Sequence, residues 1–310
     1  MPLKKLTLKA GINKEITRYS AENGWYDCDK IRFRQQFPEK IGGWQRISQN
    51  SFQGVCRSLW AWLTLSNQKL VAVGTNLKFY LELGGTYYDI TPLRASTTNS
   101  TTFAATNGST TLTVTDSSHG AKIDDFVTFS SAVSLGGAIT ATVLNIEYQI
   151  VTVPSVNTYT VTASVAANAS DSGNGGSATD SAYQISPGPA VPVPLGGWGA
   201  GAWSDGTWGN GGTSTVSLRT WSQSNFGQDL IFGPKQGPIY YWTADDTVAT
   251  RGVLLSSLSG ASDVPTVQNL ILISDINRFV FCFGANTIGT STQDPMLIRW
   301  SDQEDATNWT

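Results

Sequence analysis

The chain has 310 residues, enough for one large or two ordinary domains, and only 14% are charged, against roughly 25% in typical globular proteins. Its 31 glycines and many Ser, Thr and Asn residues favour short strands and turns over helices. It has no P-loop or dinucleotide fingerprint, no CxxC pair and a single histidine. This composition excludes the common nucleotide-binding, zinc-binding and His-dependent catalytic motifs.

The net charge of −3 conceals an uneven distribution. Residues 1–50 contain ten Lys and Arg against five Asp and Glu, a net charge of +5. Residues 96–186 contain one basic residue, Lys122, against six acids, a net charge of −5. A basic terminus on a near-neutral body predicts a docking segment, for an acidic protein surface or for nucleic acid. The alternative is a solvated, salt-bridged surface.

The predicted docking segment spans residues 1–57. Within it, Lys30, Arg32 and Arg34 stand at alternate positions, so on a strand they share one face while the intervening Ile and Phe point to a buried face. Like charges in a row need acidic partners or phosphates, and pairing inside the chain, for example with Glu39, is the alternative. The candidate docking residues are Trp25, Tyr26, Lys30, Arg32, Phe33, Arg34 and Trp44.

Residues 58–94 predict a four-stranded antiparallel meander of propeller-blade size, because short apolar stretches alternate with turn residues. The same layout returns in residues 217–310, which predict further blades. The strands of the first blade are expected at 58–63, 69–74, 77–83 and 87–91. Those of the later blades are expected at 218–222, 229–233, 238–243 and 252–256, and at 267–274, 279–283 and 296–300.

The intervening segment 95–186, rich in Thr, Ser, Ala and Gly, predicts a small β-barrel or sandwich inserted into a loop of the larger domain. Its strands are expected at 110–115, 126–129, 148–153 and 158–162. The fold class predicted for the chain is therefore all-β, a propeller-like body of meander blades with an inserted small β domain.

A Gly/Trp-rich loop is predicted at residues 187–216. Trp198, Trp203 and Trp208 recur every five residues, a period that fits neither a helix nor a strand. Three exposed tryptophans are costly to leave in water, so we expect them to contact a neighbouring subunit or loop. Stacking on a glycan is the alternative.

The remaining polar residues assemble no recognisable catalytic site. His119 lies in a predicted turn without partners for a triad, and we expect it to be structural or exposed. Asp302, Glu304 and Asp305 are dense, but their spacing is not that of an EF-hand loop. We therefore expect a protein that is not an enzyme, with no metal and no cofactor. A glycoside hydrolase stays open, since two carboxylates distant in sequence suffice for that chemistry.

Cys28, Cys56 and Cys282 are far apart, and the N-terminus lacks an apolar signal region. An odd cysteine count without such a signal predicts free thiols in a reducing compartment. We expect synthesis in a host cytoplasm.

Several stretches resemble the tail nozzle proteins of short-tailed phages, also called tail tubular protein B. The first is Asn23-Gly-Trp-Tyr-Asp-Cys-Asp-Lys-Ile-Arg-Phe-Arg34, followed by Pro38-Glu-Lys-Ile-Gly-Gly-Trp44. The others are residues 196–203, residues 219–230 with 239–242, and residues 298–309. The segment 95–186 also resembles a module common in phage tail proteins.

The resemblance implies a non-enzymatic virion protein with a propeller-like body. It implies a hexameric ring below the head-to-tail adaptor, which forms and closes the channel through which DNA leaves. Expected partners are other copies of the chain, the adaptor, tail fibres and genomic DNA, which passes without sequence-specific binding. The alternative is a carbohydrate- or receptor-binding tail module that uses the tryptophan loop.

Three predicted blades are fewer than the four to eight that close a propeller. The chain is therefore expected to be the N-terminal portion of a larger protein. The alternative is a ring that completes itself with strands from neighbouring subunits.

Overall fold

The computed structural model describes residues 8–20, 22–43, 46, 48–168, 171, 174–188, 220–245 and 247–309. The chain divides into two compact units, Met1–Gln49 and Asn50–Thr310. Strands and isolated bridges make up 41% of the described residues and helices 3%, which confirms the all-β fold class. Among the described residues, no helix combines the length and hydrophobicity needed to cross a membrane.

The N-terminal unit contains a two-stranded hairpin of β1 (Ile31–Arg34) and β2 (Phe37–Lys40). Its two-residue turn places Gln35 at φ 48° and Gln36 at φ 71°, as a type I′ turn requires. Pro38 is tolerated in β2 because it pairs at a position whose N–H points away from β1, so no ladder hydrogen bond is lost.

The larger unit contains three antiparallel sheets, each a meander with its strands in chain order. The first sheet consists of β3 (Cys56–Leu63), β4 (Lys69–Thr75), β5 (Phe79–Leu83) and β6 (Thr86–Asp89). The second consists of β14 (Trp221–Phe226), β15 (Asp229–Pro234), β16 (Tyr240–Trp242) and β17 (Val253–Leu254). The third consists of β18 (Leu270–Ile273), β19 (Val280–Phe283) and β20 (Ile298–Trp300). The predicted meanders are confirmed, although β14 begins later than expected and the preceding residues 189–219 lie outside the described part of the chain.

The three sheets stack face to face, with the second in the middle. Leu230 and Phe232 of β15 point into the core shared with the first sheet, and Ile231 points into the core shared with the third. All three side chains are 0% exposed, because both faces of the second sheet are covered. The rings of Phe79 and Phe232 stack across the first interface at 4.2 Å between centroids.

The first strands of the sheets, β3, β14 and β18, lie side by side. Ser58 Oγ of β3 donates to Gln223 Oε1 of β14 at 3.2 Å. Ser222 of β14 bonds the backbone of Ile271 of β18, donating to its carbonyl at 3.0 Å and accepting from its N–H at 2.7 Å. Sequential meanders with adjacent first strands are the arrangement of propeller blades.

The inserted domain is one seven-stranded sheet in the order β7-β13-β10-β11-β12-β9-β8, rolled around a single core and not closed into a barrel. Its strands are β7 (Leu93–Thr97), β8 (Thr102–Ala105), β9 (Thr111–Thr115), β10 (Phe126–Ser130), β11 (Glu147–Ser155), β12 (Thr158–Thr162) and β13 (Asp180–Gln184). The short helix α1 (Ala141–Leu144) precedes β11. The four strands predicted here are confirmed.

Strands β7, β8 and β13 were not predicted from the sequence. They are short and rich in Ser, Thr and Ala, so their apolar alternation is weak.

A buried ion-pair cluster joins the inserted domain to the first two sheets. Lys78, only 4% exposed, contacts Asp89 at 2.8 Å and also Glu147 of β11. Arg251, from the loop before β17, lies 3.5 Å from Asp89 and 3.7 Å from Glu147. The positive charges of the two cations cancel the negative charges of the two carboxylates, and this pairing offsets the free-energy cost of burying them.

Candidate docking surface of the N-terminal unit

The hairpin presents its two arginines to solvent. Arg32 and Arg34 are exposed, while Ile31 and Phe33 are half-buried, as alternation along a strand requires. Arg32 Nε lies 3.2 Å from Glu39 Oε2, its cross-strand partner. Both side chains are about half exposed, so this pair contributes about 0–1 kcal/mol. Arg34 has no ion pair with the described residues of this unit.

Lys30 does not belong to the strand. Its φ of 56° places it in the left-handed region, one residue before β1, and its carbonyl accepts from the Ile41 N–H at 2.9 Å. Its ammonium lies 4.0 Å from the exposed carboxylate of Asp29. The basic strand face therefore consists of Arg32 and Arg34, with Lys30 at its base, rather than of three residues in one row.

Aromatic side chains support the hairpin from within the unit. Trp25 and Phe33 pack edge to face at 6.0 Å between centroids, and both are half-buried. The Trp25 carbonyl accepts from the Asn13 N–H at 2.9 Å, which ties the preceding segment to the hairpin. The Arg18 guanidinium lies 5.4 Å from the centre of the Tyr26 ring.

Three acidic residues of the unit, Asp27, Asp29 and Glu39, form ion pairs within it. The hydrogen bond and charge of Lys14, 3.1 Å away, hold the pKa of Asp27 below its ordinary value. Asp27 therefore stays ionised at neutral pH and is directed at Lys14. Arg32 and Arg34 remain the accessible cationic pair that a partner with carboxylate or phosphate groups can bind.

The other predicted contact residues are not part of this geometry. Trp44, Trp198, Trp203 and Trp208 lie outside the described residues, so their roles stay predictions.

His119 is a structural residue of the inserted domain. It is 3% exposed, and its Nδ1 accepts from the Ala121 N–H at 3.0 Å while Nε2 faces the Ser155 carbonyl at 3.3 Å.

The acidic residues near the C-terminus close a turn, because Asp302 accepts from Asn308 Nδ2 at 2.7 Å and Asp305 accepts from Thr307. Within the described ranges, no group of three or more His, Cys, Asp and Glu residues is arranged to hold a metal ion.

The cysteines are free thiols in the structure. Burial raises the pKa of Cys56, and burial raises the pKa of Cys282 much further. Cys282 is 0% exposed within the third-sheet core. Neither of these two thiols has the depressed pKa that marks a reactive cysteine.

Sequence reasoning missed one surface, the outer face of the third sheet. It consists of Leu270, Leu272, Phe281, Phe283, Ile298 and Trp300, which alternate with side chains directed at the second sheet. The signal was present, since the four positions from Leu270 to Ile273 are all apolar. Such a run is typical of a strand covered on both faces.

No protein-family model matches this chain, and no curated protein matches it significantly. Among solved structures, the chain is similar to the Phage phi92 endosialidase, with a TM-score of 0.25 and 15% sequence identity. The alignment covers 83% of this chain and 36% of that protein, so the chain spans about a third of its length. With so low a TM-score, this similarity carries no argument about fold or function.

Proposed function

We propose that this chain is a structural protein of a phage tail, forming a ring-shaped nozzle below the head-to-tail adaptor that provides and closes the DNA exit channel. In this proposal it is not an enzyme and needs no cofactor. Its partners are other copies of the chain in a hexameric ring, the adaptor, tail fibres and genomic DNA. It is made in the host cytoplasm and resides in the virion tail.

The observation that carries the proposal is the basic hairpin. Arg32 and Arg34 project from a compact unit at the N-terminus, supported by the packing of Trp25 on Phe33. The stretch that resembles the nozzle signature, residues 23–34, contains β1 and its support. The sequential meander sheets of the larger unit agree with the propeller-like body that the resemblance implies.

We place these arginines and Lys30 at a protein interface rather than on the channel wall. Basic side chains on a channel wall bind DNA phosphates and would retard passage. A channel that releases DNA therefore needs neutral or acidic walls. The adaptor or the next subunit is the partner expected for the hairpin.

Electron microscopy of phage particles tests the assignment. We expect a sixfold ring on the tail axis that contains this protein. Particles whose tails lack the protein would refute the proposal.

A triple variant, Lys30→Glu with Arg32→Glu and Arg34→Glu, tests the docking surface. We expect it to block tail assembly, because three positive charges at the interface become negative, a change of six units in net charge. The matched control is Lys122→Glu with Lys235→Glu and Arg278→Glu, which makes the same charge change in the larger unit and should assemble normally. Normal tails with altered DNA release in the hairpin variant would contradict the interface placement.

The second candidate is a carbohydrate- or receptor-binding tail module. It depends on Trp198, Trp203 and Trp208, whose rings would stack on a sugar. A glycan array with the purified chain separates the two functions. Binding that is lost when the three tryptophans are replaced by alanine would favour this module over the nozzle.

A further inference from the structure

The inserted domain and the three meander sheets of the larger unit have separate hydrophobic cores. Among the described residues, the core of the inserted domain draws only on positions between Phe103 and Tyr183, and the cores of the sheets contain none of these. Each part therefore buries its apolar side chains within itself. Relative motion is the default for two such parts unless the interface between them is large and apolar.

A two-stranded neck connects the inserted domain to the sheets. The chain enters through β7 and leaves through β13, which pair antiparallel, and the Ile185 N–H donates to the Pro92 carbonyl at 3.0 Å where the pairing ends. The Ile185 side chain is anchored in the core of the first two sheets. The register shifts between Tyr183 and Gln184, so that Arg94 is an extra residue in β7. Because such a bulge interrupts the ladder and bends the strand, it allows the neck to act as a hinge.

Polar contacts hold the inserted domain against the sheets, and Glu147 at the start of β11 is at their centre. Its carboxylate forms ion pairs with Lys78 of the β4–β5 turn and, at 3.7 Å, with Arg251 of the β16–β17 loop. It also accepts from Gln184 Nε2 at 2.9 Å. The Lys78 ammonium lies 4.4 Å from the centre of the Phe126 ring, which is 5% exposed. We call the contacts that join the two parts the latch, and its members are Glu147, Lys78, Arg251 and Phe126.

A latch of this composition stabilises the closed arrangement weakly. Taking charges out of water costs about as much free energy as their mutual attraction returns, so buried ion pairs contribute little net stability. The polar network is also incomplete, because Gln184 Oε1 is buried and accepts no hydrogen bond from the described residues. A partly satisfied polar network is less stable than an apolar contact. The free energy that keeps the latch closed is therefore small beside the free energy that holds each core together.

We propose that the inserted domain is a hinged module that swings away from the sheets about its neck, and that the latch centred on Glu147 holds it closed. Both parts keep their cores in the open arrangement, because neither core crosses the interface. Opening exposes the Lys78 side chain, which is 5% exposed in the closed arrangement, together with the Phe126 ring. The inference does not depend on the proposed function, since it concerns motion within one chain.

Glu147→Gln in the full chain tests the latch. It leaves Asp89 as the carboxylate that Lys78 and Arg251 still share, and the uncompensated buried charge favours opening. Because a buried group is labelled in proportion to the open population, we expect Lys78 to be acylated at least about tenfold faster than in the wild type. Hydroxyl-radical oxidation of Phe126, on the other side of the interface, should rise with it. Mass spectrometry measures both rates, and the exposed Lys122 is the internal reference.

The matched control is Asp124→Asn, which removes one negative charge from an exposed side chain that is bonded to Gln149 of the same domain. It should leave both labelling rates at their wild-type values. Small-angle X-ray scattering should give Glu147→Gln a larger radius of gyration than this control. Unchanged labelling and an unchanged radius would overturn the proposal. Faster labelling of Lys78 without a change at Phe126 would show movement of the β4–β5 turn alone and would overturn it as well.

The wild type provides a second test that does not require the variant to fold. Labelling of Lys78 through hinge opening should depend weakly on urea below the unfolding transition, because opening exposes little apolar surface. Labelling through global unfolding would follow the full urea dependence of the unfolding free energy. A full dependence would remove the hinge.

Discussion

The indole N–H of Trp221 donates a hydrogen bond of 2.7 Å to the carbonyl oxygen of Thr75, where the first strand of the second sheet meets the end of β4. The Trp221 ring also packs edge to face on Phe79 at 4.8 Å between centroids. This approach is possible because the residue before Thr75 is Gly74, whose missing side chain leaves room for the indole. The contact between the first two sheets therefore depends on a glycine.

Gly74→Ala is expected to destabilise the larger unit by about 1–3 kcal/mol, the usual cost of overpacking. The added Cβ would lie 2.4 Å from Ser58 Oγ and 2.5 Å from Trp221 Cδ1, so the ring or the strand must move. Urea unfolding followed by tryptophan fluorescence measures the effect. The control is Gly43→Ala, since Gly43 has open space and ordinary φ, and it should change stability by less than about 0.5 kcal/mol. Equal effects of the two substitutions would contradict this account.

Asp89→Asn is expected to make the fold less stable at neutral pH and less sensitive to acid. Burial alone would raise the pKa of Asp89, but the charges of Lys78 and Arg251 outweigh it and hold that pKa below its ordinary value. Because the pKa of Asp89 is lower in the folded state, the stabilisation is present above the unfolded-state pKa of about 3.8. It is lost as the pH falls through the folded-state pKa.

The loss at pH 7 should be about 2–3 kcal/mol, below the full cost of breaking a buried pair, because Glu147 still accompanies Lys78. The measurement is the free energy of unfolding as a function of pH for both proteins. If the two curves of unfolding free energy against pH stay parallel through the acid range, Asp89 is not responsible for the loss of stability in acid.

The meander strands were predictable because their boundaries depend on local turn chemistry. The predicted strands of the first sheet match the observed ones to within two residues. The cluster around Lys78 could not be predicted, since Asp89, Glu147 and Arg251 are brought together only by the docking of the inserted domain. In the candidate docking surface, alternation predicted the exposure of Arg32 and Arg34. The left-handed conformation of Lys30 follows from tertiary context and leaves no sequence signal.

Asp125→Asn should behave in the opposite sense to Asp89→Asn. Burial raises the pKa of Asp125, and the hydrogen bond from the Lys122 N–H, 2.8 Å long, offsets this only in part. A raised folded-state pKa means that the folded state holds the proton more tightly, so stability falls as pH rises from about 3.8 through the folded value. The amide oxygen of Asn still accepts from Lys122 without a buried charge.

We therefore expect Asp125→Asn to change stability at pH 7 by less than about 1 kcal/mol or to increase it. Thermal unfolding at several pH values checks this, with Asp89→Asn as the comparison. A large loss at pH 7 would mean that the charge of Asp125 stabilises the inserted domain, contrary to this prediction.

The hairpin turn offers a way to strengthen the docking surface without changing its charge. Gln35 and Gln36 both have positive φ, a conformation that side chains with a Cβ adopt at a cost. Gln35→Asn with Gln36→Gly introduces the residues that type I′ turns prefer, and we expect it to stabilise the hairpin by about 1 kcal/mol. Gln35→Ala with Gln36→Ala is the matched control and should leave the hairpin near its wild-type stability, because alanine carries a Cβ as glutamine does and adopts positive φ at a similar cost. Amide hydrogen exchange of β1 and β2 reports the local stability, and slower exchange in the Asn-Gly variant than in the wild type is the expected result. Tail assembly should be retained in both variants, since each keeps Arg32 and Arg34 on one face of β1.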